Sequence, residues 1–261
     1  PAPEIPFTPN LHPFNWRGWW DYGTGALGDV GCHLMDIPFR MLGLQYPLDA
    51  ECSVGSVYSQ MWTPDYNPAG CPASSFITLH YGPTGKNAVP LEMTWMDGGI
   101  RPSHPDIIPA DHDLGGANSA NGVMMIGEKG IITHNINDSS PLMPKLYLND
   151  GTQEFGPDRL ESTESEYGHQ RKWVDACKAG FGSSEHKGLT SSFDYAGPMT
   201  ETVLMGNLAI RSYMLRRPNS KGQQEFFGRR KLLWDGENMR ITNLEEANQF
   251  VGRTYRAGFE V

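Results

Sequence analysis

The sequence predicts an α+β fold with a largely antiparallel sheet, and two observations carry that reading. Segments of β character follow one another without an intervening helix between about residues 51 and 148. Helical periodicity is confined to the start of the chain and to its second half, a grouping that fits strands pairing with their sequence neighbours rather than βαβ crossovers.

Residues 1–21 are rich in Pro, Asn and Trp and show no period, which predicts an extended, packed arm. From Ala26 the apolar residues Leu27, Val30, Leu34, Ile37 and Met41 recur at helical spacing, so a helix is expected, bent or broken at Pro38. Strands follow at 51–58, 75–81, 89–95, 123–126, 131–134 and 145–148, with Gly127-Glu128-Lys129-Gly130 as a hairpin turn. The irregular stretch 97–121 exceeds ordinary connections and is read as a substrate-side loop. Helices are expected at 162–179, capped by Thr163 or Ser165 and ended by Gly180, and at 198–215, with Pro198 in the first turn. The tail predicts a strand pair around residues 234–238 and a short acidic helix near 244–250.

Composition narrows the function. The 21 Lys and Arg against 30 Asp and Glu give a net charge of −9, which argues against a nucleic-acid partner. No apolar run reaches the ~20 residues that span a bilayer, so no membrane role is expected. Cys32, Cys52, Cys71 and Cys177 form no CxxC pair, predicting reduced and mostly buried thiols, and this usage leans cytoplasmic.

Gly23-Thr24-Gly25-Ala26-Leu27-Gly28 matches the dinucleotide pattern G-x-G-x-x-G, but the bulky polar residues 15–22 before it make a poor buried parallel strand. The glycines are better read as a tight approach to the helix and close packing of its first turn. On that helix Asp29, His33 and Asp36 recur at spacings of four and three, opposite the apolar stripe. Such a stripe is either a solvated face or a site; the nearby Trp16, Trp19, Trp20 and Tyr22 give the second reading its weight. As a site, His33 would take the proton of a secondary alcohol and Asp29 would orient it. The aromatic rings, Trp19 and Tyr22 among them, would lie against a sugar, and Asn15, Arg17 and Asp36 would bond its hydroxyls. A cation shared by Asp29, His33 and Asp36 is the competing reading, weakened because no further strong ligand lies nearby in sequence, and no metal is expected. His169 is either a surface residue or a further substrate contact.

The segment Gly23 to His33, with its D-x-x-x-H spacing, resembles the glycine-rich active-site helix of the Gfo/Idh/MocA oxidoreductases, the glucose-fructose oxidoreductase and inositol dehydrogenase family. Further likeness lies in Trp-Arg-Gly-Trp-Trp-Asp-Tyr-Gly at 16–23, Trp-Met-Asp-Gly-Gly at 95–99, the 122–130 hairpin and Leu-Leu-Trp-Asp-Gly-Glu-Asn-Met at 232–239. The resemblance implies that residues 1–261 form a single C-terminal substrate-binding and oligomerisation domain. It implies an open-faced, mostly antiparallel sheet with helices on one face, like the C-terminal domain of glyceraldehyde-3-phosphate dehydrogenase. It also implies catalytic roles for Asp29 and His33, a sugar or polyol substrate, and a homo-oligomer formed through the open sheet face. NAD or NADP would be held by a preceding Rossmann domain, with a lysine there, that this chain lacks, so the isolated chain is expected to be inactive. Some relatives are exported, which keeps a periplasmic location open. Two other functions are weighed: an NAD-dependent glycoside hydrolase of the same fold, and a non-catalytic sugar-binding or oligomerisation module.

Overall fold

The computed structural model describes residues 4–11, 14–65, 67–112, 114, 121–135, 144–156 and 167–260. The expected caps Thr163 and Ser165 lie outside them. The chain divides into two compact units, residues 1–103 with 199–261 and residues 104–198. Both carry antiparallel sheet, and helices accompany it in an α+β arrangement.

In the first unit α1 (Gly25–Leu34) and α2 (Asp36–Leu42) precede β1 (Asp49–Val54), the small hairpin β2 (Tyr58–Gln60) and β3 (Thr63–Pro64), β4 (Ser75–Tyr81) and β5 (Leu91–Met96). The expected helix is interrupted at Met35, ahead of Pro38. Pro38 has no N–H for the Leu34 carbonyl and its ring crowds that carbonyl, so the break falls about one turn upstream of the proline. The apolar stripe therefore does not run through. Leu27 and Leu34 are buried, but α2 buries Pro38 and Phe39 and leaves Met41 exposed.

The second unit holds a four-stranded meander of β6 (Gly122–Gly127), β7 (Gly130–Asn135), β8 (Lys145–Leu148) and β9 (Gln153–Phe155), then α3 (Gly168–Ala179) and α4 (Ser184–Lys187). Gly127 pairs with Gly130 across a two-residue turn, as expected. Ile108, Ile131 and Tyr147 form a small core. Part of the long irregular loop is thus held down: Ile108 is buried, and the His112 ring is hydrogen-bonded to the Tyr147 hydroxyl at 3.1 Å.

Helix α5 (Phe193–Tyr213) starts before the expected Pro198, which lies inside it. Its first turn is held by the Ser192 carbonyl, which accepts from the N–H groups of Tyr195 and Ala196, so the proline does not mark the start. The chain ends with the hairpin β10 (Arg216–Pro218) and β11 (Gln224–Phe226), then β12 (Leu232–Asp235), β13 (Arg240–Ile241) and, in place of a short α-helix, 3-10 turns at Glu245–Phe250.

The sheet of the first unit has the order β13-β12-β1-β4-β5. Ala50, Ile77, Leu79, Tyr81, Met93, Trp95, Leu232 and Trp234 are buried on one face. That face meets α5: Tyr81 donates to the Thr202 hydroxyl at 3.3 Å, and the Trp234 indole donates to Glu201 at 2.6 Å. Helix α1 lies against α5 where Gly206 has no side chain; a Cβ there would sit 2.5 Å from Leu27 Cδ2 and 3.4 Å from Ile77. The other face carries a cluster of charged groups beside Leu233, Phe76 and Met96. His80 meets Asp49 at 2.5 Å and Glu92 at 3.5 Å, and Lys231 lies 3.7 Å from Asp49 and 3.6 Å from Glu51.

Two asparagines close the β12–β13 side. Asn248 accepts from the Ile241 N–H at 2.8 Å and donates to the Ile241 carbonyl at 2.9 Å, while Asn243 accepts from the Leu233 N–H and donates to the Lys231 carbonyl.

The structure corrects two further expectations. The N-terminal residues are not an extended, packed arm: they turn at Pro9–Leu11 and Asn15–Gly18, and Ile5, Phe7 and Phe14 are exposed because such short turns have no face to bury. All four cysteines are free, but Cys32 and Cys177 are exposed, since they fall on the outward faces of α1 and α3. Among the described residues no helix is long and apolar enough to cross a membrane.

Candidate functional site

The 3-10 turn Asn15–Gly18 is fixed by backbone pairing. Cys71 N–H donates to the Gly18 carbonyl at 2.8 Å, Trp20 N–H donates to Ala69 at 2.9 Å, and Trp19 bridges to Gly70. The chain then folds back: Gly23 N–H donates to the Trp19 carbonyl, and a Cβ on Gly23 would stand 2.5 Å from the Arg17 carbonyl oxygen. Only glycine fits that approach, which brings Arg17 against α1.

There Arg17 Nε lies 2.8 Å from Asp29 Oδ2, an ion pair that lacks the alignment of a hydrogen bond. The guanidinium stacks over Phe14 at 3.8 Å and over Trp16 at 5.2 Å. Asp29 thus pairs with Arg17. His33, one turn further along the same face, is exposed, and among the described residues its ring makes no hydrogen bond.

The other expected site residues are distributed unevenly. Trp19 and Tyr22 are half-buried in the turns before α1, and Asn15 is exposed at their start. Asp36 begins α2, beyond the interruption, and pairs with Arg40 at 3.9 Å. His169 lies in the first turn of α3, in the second unit. Among the described residues no three His, Cys, Asp or Glu side chains converge as ligands for a metal. The described residues before Gly23 form turns, with no parallel strand to build a nucleotide fingerprint.

Sequence reasoning missed a cavity of about 310 Å³ in the first unit, walled by Trp20, Val57, Cys71, Arg211, Met214 and Phe250 among others. Arg211 lies near the end of α5, its guanidinium 4.3 Å from the Phe250 ring centre and 5.6 Å from that of Trp20. These partners are far apart in sequence; the one signal was a lone arginine after the largely apolar run 203–210.

No protein-family model and no curated protein matches this chain. What bears on its function is therefore the geometry above.

Proposed function

We propose that this chain supplies the substrate side of an NAD(P)-dependent sugar or polyol dehydrogenase of the Gfo/Idh/MocA type. The observation that supports it is the Arg17–Asp29 pair, set among aromatic rings one helical turn from an exposed His33. In this reading His33 takes the hydroxyl proton of a secondary alcohol. Asp29, held by Arg17, stands one turn away on the same helix face, where it can accept from a substrate hydroxyl. Trp19 and Tyr22 offer ring faces to a sugar, and Asn15 offers an amide to its hydroxyls.

The Gly23–Gly28 segment does not have the setting of a dinucleotide fingerprint. Turns stand where the buried strand is needed, and the space beside Gly28 is filled, since a Cβ there would meet Thr24 Oγ1 at 1.7 Å. The reading therefore assigns the nicotinamide to another part of the polypeptide. Self-association through the sheet face away from α5 belongs to the same proposal, and it would use the polar groups of Asp49, Glu51, His80, Glu92 and Lys231.

The test is a panel of sugars and polyols with NAD and NADP on the natural polypeptide that contains this chain, read as absorbance of the reduced cofactor. Turnover that falls by about 100-fold or more in His33→Ala is expected. Equal turnover in that variant, or release of free sugar with no net reduced cofactor, would overturn the redox assignment.

A further inference from the structure

The cavity of the first unit is lined by the half-buried guanidinium of Arg211. Among the described residues the Arg211 side chain makes no hydrogen bond and no ion pair, although it is half-buried between the Phe250 and Trp20 rings. Burial, then the neighbouring Arg253 charge, draws its pKa down; Asp21 opposes this through space without an ion pair. Cys71 in the same wall offers no counter-ion, because burial pushes its thiol up to about 12. Asp65 also lines the cavity, but its carboxylate accepts from the Ser59 hydroxyl and does not pair with Arg211.

A guanidinium taken out of water is unfavourable until an anion answers it, and its planar fork matches a carboxylate with two parallel hydrogen bonds. The rest of the wall is largely apolar, with Val57, Ile210 and Met214 among its residues. A volume of about 310 Å³ stands at the small end of ligand sites, enough for a one-ring compound. We infer that this cavity binds a small organic carboxylate with a flat apolar body, its carboxylate on Arg211 and its body against Trp20, Val57 and Met214. The site shares no side chain with Asp29 and His33, and it stands whether or not the dehydrogenase reading does.

Benzoate titrated into the 261-residue chain by calorimetry tests this, with uncharged benzamide as the matched probe. Saturable one-to-one binding of benzoate is expected, with benzamide weaker by about tenfold or more and Arg211→Gln weakening benzoate by a similar factor. The benzoate and benzamide comparison needs no variant, so it holds even if Arg211→Gln fails to fold. Equal affinity for the two probes, no benzoate binding at millimolar concentration, or undiminished binding by folded Arg211→Gln would each overturn the assignment.

Discussion

Two arginines of the first unit sit in similar aromatic cradles and differ in one respect. Arg17 lies over Phe14 and Trp16 and meets Asp29 at 2.8 Å; Arg211 lies over Phe250 and Trp20 and meets no carboxylate among the described residues. Ring faces return about 0.5–2 kcal/mol to a cation, whereas desolvating it costs several kcal/mol, so the cradle does not replace the counter-ion. Each charge therefore finds its anion in a different place: Arg17 within the fold, Arg211 in what enters the cavity.

The greatest loss should come from breaking the turn that presents Arg17. Gly23→Ala sets a methyl 2.5 Å from a backbone oxygen that has no rotamer to move away, costing about 2 kcal/mol and about 6 °C in melting temperature. A melting temperature within about 1 °C of the parent would show that the turn relaxes freely. Next, glutamine at each arginine separates the two by sign. Arg17→Gln leaves Asp29 without its cation and should destabilise by about 1 kcal/mol, discounted because both groups are partly exposed. Arg211→Gln removes an unanswered charge and should be neutral or stabilising by up to about 1 kcal/mol in chemical denaturation. Equal losses from the two would erase the distinction.

A smaller effect concerns the thiols. Burial raises Cys71 and Cys52 from the ordinary 9.0 to about 12. As pH rises past 9 the unfolded chain loses these protons first, so the contribution is fully present below pH 9 and is lost between 9 and 12. Denaturant midpoints at about pH 7 and about pH 10 should show the decline. Mass spectrometry after brief alkylation at about pH 8 should find Cys32 and Cys177 modified well ahead of the half-buried Cys52 and Cys71; modification of Cys71 at the rate of Cys32 would contradict the upward shift of its thiol.

Much of the sheet was legible because burial imposes a pattern. The strands at 75–81 and 145–148 fall where alternation and β-rich composition put them, and the Gly127–Gly130 turn follows from its glycines. The short strands β2, β9 and β10 were not read, since few of their side chains are covered and water imposes no alternation. Pro198 misled as a helix start because α5 begins directly after Ser192, itself a residue type favoured before a helix, and carries the proline inside it. Both Arg17 and Asp29 were singled out from sequence, but their pairing depends on the fold-back at Gly23. Arg211 was invisible as a site because its aromatic neighbours come from opposite ends of the chain.

The asparagines beside β12 and β13 limit how this sheet can grow. A side-chain amide offers both a C=O acceptor and an N–H donor, so Asn248 on Ile241 and Asn243 on Leu233 and Lys231 act as stand-in strand neighbours. An incoming polypeptide finds the Ile241 and Leu233 groups of that border already engaged. Extending the sheet past β13 would have to break these amide contacts, which protects that border against strand addition.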